Sequence, residues 1–580
     1  MGVVGWTLVV GINAAIIAYG LWKSRETHRA VDWMLAARGL PWWMVGLSMF
    51  ATAVDSGDYV AVAGAAYQNG MNFITDWWLG ITIGWMLVAW AVFLPMYRSG
   101  MFTNAEYLER RFGPSTRVIS VIVQVLYRTN VLGNVAYSLF LTFDILTGWG
   151  HLTWYLVVAI AAGAAIYTAT GGLKSVALTD SIQSIVMLVA AVVMWWIVYD
   201  KVGGFAGMEQ TLDEAGVGEN VQVAMTHVGS HLEEGVPAWL VILGWIITLS
   251  AYCIVNHSQS MRMLACRSEW DVKMAAVFAS VVTAIVMWFN VTLGILGRGV
   301  RPDLPTEQAD QIFPILVSEL LVPMGGVLAG IVVAGLLAGG ISTFDSIGSA
   351  LAVVFTRDLY ARFLVRDADD RHYLWVSRIT TVVVIGLSFA YIPFLKMGMV
   401  KFYLEMVGIT VLPLMTVYLA GIFTPAHPAS GLVGLLVGSG VGLTRFLSVQ
   451  LADRLPEWLI ERFGGELPIW WANKWYGFLW SIGAASLGIL LTTLVLGVAS
   501  RDRLRGLVVW LPRPPDDDDT DREDSGPQGN WLEQTRKELV SLPSHPFDDP
   551  GVSLPLWKRP WLWTVVVLGV LSWLNLVVLW

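Results

Sequence analysis

A chain of 580 residues that is 56% hydrophobic and only 14% charged, with 30 tryptophans, falls outside the composition of soluble globular domains. A formal charge of −8 without any basic, aromatic-rich stretch excludes a nucleic-acid binder, and the two cysteines, Cys253 and Cys266, exclude a disulfide framework. The composition predicts an all-α, polytopic membrane protein.

Windows long enough to cross a hydrocarbon core of ~30 Å begin with 3–22, which lacks a basic leader and a small-residue cleavage site and so reads as a retained helix. They continue at 42–68, 73–96, 117–143, 152–170 and 181–200, then at 237–256, 274–298, 324–355, 373–393 and 401–423, and finally at 430–449, 473–498 and 561–580. Fourteen spans are predicted. They divide the chain into a leading helix and loop (1–41), five spans (42–200), a loop (201–236), five more spans (237–423), two peripheral spans (424–498), an acidic Pro-rich linker (499–560) and a last span (561–580). Basic residues concentrate in one set of connections, among them Arg98, Arg110 and Arg111, then Arg262, Arg267 and Lys273, then Arg357, Arg362, Arg366 and Arg371. The positive-inside rule places these in the cytoplasm of a cell membrane and both termini outside. The linker carries the run Asp516 to Asp519 with Asp521, Glu523 and Asp524 and no helical periodicity, a composition that predicts a solvated, disordered segment.

Polar residues inside apolar windows carry the functional signal. Val54-Asp55-Ser56-Gly57-Asp58 puts two acids, a serine and a glycine into the second window, where a helix would unwind and free its carbonyls. Asp76 reads as a solvated acid at the external mouth. Arg128, about eleven residues into its window and followed by Asn130, Asn134 and Tyr137, lies too deep to snorkel and calls for an anion: a solute carboxylate, or Asp55 or Asp58. Asp180 follows Thr179 where a window opens, so it reads either as an N-cap or as a cation ligand. The seventh window ends in Ser250, Tyr252, Asn256 and His257, the histidine predicted to be hydrogen-bonded at a helix break. In the ninth window Ser342, Asp345 and Ser346 fall at i, i+3 and i+4, on one helical face. An all-oxygen set suits a hard cation, and the absence of nearby Cys or His makes sodium or a proton the default.

Three stretches carry a family resemblance. Residues 32–71 read DWMLAARGLPWWMVGLSMFATAVDSGDYVAVAGAAYQNGM, 167–183 read YTATGGLKSVALTDSIQ, and 338–360 read AGGISTFDSIGSALAVVFTRDLY. Together they resemble the sodium:solute symporter family. The resemblance implies an inverted five-plus-five helix repeat of the bacterial leucine transporter type, with a discontinuous first helix in each half and alternating access around a midplane site. The two groups of five windows agree, because an odd number of spans inverts the second group. The resemblance further implies one sodium among Ala53, Ser56, Gly339, Ser342 and Thr343, and a second cation site formed by Asp180, Ser342, Asp345 and Ser346. It places the solute among Asp55, Asp58, Tyr59, Arg128, Asn130, Ser250, Tyr252, Asn256 and Glu405. Sialic acid carriers resemble this chain in an arginine on the Arg128 helix, and sugar carriers in an aromatic at Tyr252, whereas the carboxylate of Glu405 departs from the sugar pattern.

The expectation is sodium-coupled uptake of a small polar organic solute, without covalent chemistry and with Na+ as the only coupling ion. The solute is predicted to be anionic or zwitterionic (a carboxylate, an amino acid or a sialic-acid-like molecule) or a sugar. The alternatives are a proton-coupled carrier using Asp55, Asp180 or Asp345, and a transporter-like membrane sensor.

Overall fold

A backbone that crosses hydrocarbon must satisfy its own hydrogen bonds, and a single chain with this apolar content does so by forming helices. The computed structural model describes residues 1–24, 30–229, 235–395, 398–452, 466–511, 531–540, 548 and 554–580, and among them no strand forms beyond two isolated bridges. The acidic run at 516–524 lies outside the described residues.

The first helix, α1 (Val3–Ser24), precedes a broken pair, α2 (Trp42–Ala53) and α3 (Ser56–Asn69). The chain then turns by 80° into α4 (Asp76–Val92). A short amphipathic helix, α5 (Asn104–Phe112), ends at Gly113, whose φ of +114° stops it, and Pro114 opens α6 (Pro114–Thr147) at the position where its missing N–H costs nothing. Then follow α7 (Thr153–Thr170) and α8 (Leu173–Val202), which complete the first repeat. The second repeat opens with another broken pair, α9 (Ala238–Val255) and α10 (His257–Leu264), and continues with α11 (Glu269–Val300), α12 (Gly326–Leu364), α13 (Asp370–Leu395) and α14 (Met399–Phe423). Helices α15 (Ser430–Gln450) and α16 (Lys474–Leu496) pack on one another beside α14. The chain ends with α17 (Trp531–Val540) and α18 (Pro560–Val578), the latter lying along α11.

Twelve of these helices are long and apolar enough to cross a membrane, and the windows 42–68 and 73–96 correspond to the broken pair α2–α3 and to α4. The inverted five-plus-five repeat is therefore laid out helix for helix. α12 and α8 pack closely, α11 lies against α2 and α3, and α1 covers the outside of α12 and α8, where Asn13 donates to the Ala334 carbonyl at 3.2 Å.

The basic connections gather at one end of the bundle. Arg98 forks onto Glu269 at 2.6 and 2.9 Å, Arg362 reaches Glu109 at 2.7 Å, and Arg117 is held by Glu109 and Asp358. Two readings of the sequence change here. Arg262 is no loop residue, because the seventh span continues past its break through α10 and buries this side chain completely. The linker is not uniformly unstructured, since α17 forms within it and buries Trp531, Thr535, Arg536 and Leu539.

Candidate functional site

Each repeat opens on a helix broken at a capping residue. Val54 and Asp55 are extended (φ −116° and −130°), and Asp55 then caps α3 in a reciprocal box: its Oδ1 accepts from the Asp58 N–H at 3.1 Å, and Asp58 Oδ2 accepts from the Asp55 N–H at 2.9 Å. In the second repeat Asn256, at ψ 109°, accepts from the Ser258 N–H at 3.0 Å. A short polar side chain that can satisfy the orphan amides lets the chain start a new helix inside the membrane.

Ala53 closes α2, so its carbonyl is among those without an intrahelical donor. Facing this break, α12 presents Gly339 and Gly340. A Cβ on Gly339 would lie 3.3 Å from the Asp55 carbonyl carbon and the Ser56 nitrogen, and one on Gly340 would lie 3.0 Å from Ser56 Oγ. The two glycines thus allow α12 to approach the break. One turn on, Ser342 Oγ hydrogen-bonds the Ala51 carbonyl at 3.0 Å, and Thr343 Oγ1 is buried with no partner. The five residues Ala53, Ser56, Gly339, Ser342 and Thr343 are therefore drawn from three helices in contact, α2, α3 and α12.

The second cation cluster has a different content. Asp180 is no N-cap: α8 starts at Leu173, and the carboxylate is fully buried within the helix. Its Oδ1 accepts from Ser342 at 2.7 Å, and its Oδ2 accepts from Ser48 Oγ at 2.5 Å and from Arg262 Nη2 at 2.9 Å. The same guanidinium reaches Ser346 Oγ and the Ser258 carbonyl. A protein cation thus stands among these oxygens, while Asp345 keeps one buried carboxylate oxygen without a partner.

Beside the α2–α3 break lies a cavity of about 680 Å³, its open mouth included, whose lining runs from the break to Phe73, Trp77, Met399 and Val400. Asp55, Asp58, Arg128 and Tyr252 line it, as does Ala53. Arg128 is 2% exposed. Its guanidinium donates to Ser258 Oγ at 3.2 Å and faces the rings of Tyr252 and Tyr127 at 5.3 and 5.7 Å. No carboxylate lies within 4 Å of it among the described residues, so the internal ion pair with Asp55 or Asp58 does not form, and its Nε and Nη1 are buried without partners.

Several predicted solute residues are engaged elsewhere. Tyr59 Oη donates to the Met187 carbonyl at 2.8 Å, and Ser250 Oγ donates to the Gly80 carbonyl at 2.8 Å. Asn256 caps α10, and Asn130 is buried off the cavity with its side-chain amide unpartnered. Glu405 is bound by both terminal nitrogens of Arg445, 40 residues on, and does not reach the cavity. Conversely, Asp76 is not solvated: it is buried, lines the cavity, and leaves Oδ1 unpartnered. His257 has no hydrogen-bond partner on either ring nitrogen, contrary to its predicted role. Phe73, Trp77, Trp245, Met399 and Tyr403 also line the wall, and no reading of the sequence singled them out.

The comparisons agree with this architecture. Residues 33–438 match the model of the sodium:solute symporter family. The chain is 27% identical over 486 residues to sodium/glucose cotransporter 4 of Danio rerio, covering 76% of this chain and 71% of that one. It is 28% identical over 458 residues to a sodium/glucose cotransporter of Vibrio parahaemolyticus (73% and 82% covered) and 27% identical over 465 residues to sodium/myo-inositol cotransporter 2 of Sus scrofa (74% and 68%). Its fold is similar, at a TM-score of 0.69 and 21% identity, to that of a Na+-coupled sialic acid symporter in a substrate-bound outward-open state, covering 86% of this chain and 99% of that one. With the family match extending over both repeats and the paired helix breaks in place, this chain belongs to the sodium:solute symporter family, as a multi-pass membrane carrier, not an enzyme, that couples sodium to the movement of a solute.

Proposed function

We propose that the solute is a small molecule bearing a carboxylate, most simply a zwitterion such as an amino acid, taken up into the cell with sodium. The observation that carries this reading is Arg128, a buried guanidinium with Nε and Nη1 unpartnered in the cavity wall. A planar fork with free donors is suited to a carboxylate. Asp55, Asp58 and Asp76 supply the opposite sign around an ammonium. A sugar is the second reading, favoured by the aromatic wall of Trp77, Trp245 and Tyr252 and by the sugar and inositol carriers among the relatives.

Sodium in this proposal binds between the Ala53 and Ser56 carbonyls and Gly339, Ser342 and Thr343, bridging the broken helix and α12. The orphan hydroxyl of Thr343 supports that assignment. By holding α12 to the break, the ion would stabilise the form in which Asp55 and Arg128 face the cavity, so sodium and solute raise each other's affinity. The Asp180 position is served by Arg262 in this conformation, and a second sodium at Asp180, Ser342, Asp345 and Ser346 requires that guanidinium to leave. The arginine-rich end is cytoplasmic and both termini are extracytoplasmic under the positive-inside rule.

The test is a thermal-shift screen of the purified carrier against amino acids, carboxylates and sugars, with sodium and with choline as the replacement cation. A bound ligand raises the melting temperature by linkage, and the proposal expects the largest shift from a carboxylate-bearing solute with sodium, lost in Arg128→Lys. A shift from neutral sugars alone, retained in Arg128→Lys, selects the second reading.

A further inference from the structure

Residues 499–511, which follow α16 and lie outside the stretch matched by the family, form a docked element at the arginine-rich end. The Ala499 and Val509 N–H groups donate to the carbonyls of Pro425 and Ile422 at 3.0 and 3.2 Å, and the Trp510 indole donates to the Phe423 carbonyl at 3.2 Å, so the end of α14 holds the element in place. Tyr107 of α5 adds a bond from its hydroxyl to the Leu507 carbonyl at 3.0 Å. Gly506, at φ +77°, turns the chain back, which brings its N–H to the Leu511 carbonyl at 2.9 Å and packs Leu504 and Val508 with Ala499. A backbone fixed in this way presents its side chains at a set depth.

That depth is the membrane surface. Leu494, Val495, Leu496 and Val498, at the end of α16 and just beyond it, are each more than half exposed and so call for hydrocarbon around them, and Val509 and Trp510 expose apolar surface again after the turn. Between these apolar stretches stand Arg501, Arg503 and Arg505, all exposed, with Asp502 as the one acid in the element. Arg501 and Arg505 are one turn apart, the Arg505 N–H donating to the Arg501 carbonyl at 3.1 Å. Arg503 stands near Arg111 of α5, close enough for the two guanidinium charges to repel. Arg111 is fully buried and donates to the carbonyls of Gly421, Thr424 and Ala426, and among the described residues no carboxylate pairs with it, with Arg501 or with Arg503. Like charges gathered at the level where lipid phosphates lie call for an anion.

We propose that residues 499–511 bind the headgroup of an anionic phospholipid, with Arg501, Arg503 and Arg505 on its phosphate oxygens and Trp510 at the boundary between headgroup and acyl chain. Guanidinium donors match phosphate oxygens in pairs, and the exposed apolar residues on either side receive acyl chains, which a free phosphate lacks. A zwitterionic headgroup would bring its own cation among the guanidiniums and is disfavoured.

The experiment titrates the purified full chain in detergent with dioleoylphosphatidylglycerol, with dioleoylphosphatidylcholine and with glycerol 3-phosphate, following the melting temperature and, by native mass spectrometry, the lipids retained. Phosphatidylglycerol is expected to raise the melting temperature and to be retained, and the other two are not. Combining Arg501→Gln, Arg503→Gln and Arg505→Gln should raise the phosphatidylglycerol concentration for half the shift by about tenfold or more, since each basic residue at a membrane surface contributes several-fold to such binding. The same three positions changed to Lys should keep most of the response, which separates lost charge from a damaged fold. Arg366→Gln with Arg371→Gln, at two other exposed basic positions, should leave it unchanged. A phosphatidylglycerol response unaltered in the Gln variant, or lowered equally by the Arg366 and Arg371 changes, overturns the site, and a full response to glycerol 3-phosphate overturns the lipid as its occupant. Lipid retention that is absent in the wild type and appears only when Asp516 to Asp519 are changed to Asn assigns the arginines to that acidic run and overturns the proposal as well.

Discussion

Thr343 separates a sodium ligand from a packing hydroxyl. Its Oγ1 makes no close hydrogen bond and lies beside the Asp55 carboxylate, whereas Ser342 serves Ala51 and Asp180, so under the proposed sodium assignment Thr343→Ala removes an ion ligand with less loss of packing than Ser342→Ala. The sodium concentration for half-maximal uptake should rise by about tenfold, the equivalent of one hydrogen-bond-sized interaction of ~1.4 kcal/mol. Thr343→Ser should restore it, and equal sodium curves for all three proteins would remove Thr343 from the site. Asp180 makes the opposite kind of prediction. It is one half of a buried pair with Arg262, and removing one partner of such a pair typically costs about 3–5 kcal/mol because the other charge is left without a counterpart. Asp180→Asn should therefore lower the melting temperature sharply, and the double change with Arg262→Gln should recover much of it. Stability recovered in the double variant identifies the pair as the source of the cost, while a normal melting temperature in Asp180→Asn alone would show that Arg262 finds another anion.

At the level of elements, the close contact between α12 and the α2–α3 break rests on Gly339. A methyl group there would meet backbone atoms at 3.3 Å, and backbone cannot rotate aside. Gly339→Ala should displace α12 from the break, costing about 1–3 kcal/mol of stability and raising the sodium requirement of uptake together with it. A variant with normal sodium affinity but lower stability would confine Gly339 to packing. The first break was legible in the sequence because Asp55, Ser56, Gly57 and Asp58 interrupt an apolar run. Its counterpart was only partly legible: Asn256 to Arg262 is polar enough to end a hydropathy window, so α10 read as loop, although it is buried against α12. Asp180 was misplaced for a related reason. Lys174 and Ser175 lower the local hydropathy and hide the start of α8, making an interior residue look like a cap. Glu405 found its partner in Arg445 and Asp76 found a cavity, both through tertiary contacts that no local pattern encodes. α17 was missed because its burial depends on Tyr373 and Arg357, far away in sequence.

For the whole molecule, the sign and number of charges moved together connect the cavity to the energetics of uptake. With the arginine-rich end taken as cytoplasmic, as proposed above, a cation crossing inward gains about 2.3 kcal/mol per 100 mV of membrane potential. If one sodium enters with a zwitterion, one net positive charge crosses per cycle, because Arg262 stays within the protein as the partner of Asp180. A potential of 100 mV, negative inside, should then raise the accumulation ratio at equal sodium on both sides by roughly fiftyfold over the unpolarised vesicle, the ratio that 2.3 kcal/mol represents. A neutral sugar with one sodium predicts the same dependence, so the Arg128→Lys binding test distinguishes those two. A monoanion with one sodium is electroneutral and should show no response to potential. Proteoliposomes carrying a potassium gradient, with valinomycin added to set the potential, measure this directly. Accumulation that tracks the potential with one charge fits a net-neutral solute, zwitterion or sugar, carried with one sodium. Accumulation indifferent to potential would make the solute a monoanion, and a steeper response, with two charges, would require a second sodium and therefore the departure of Arg262 from Asp180 during the cycle.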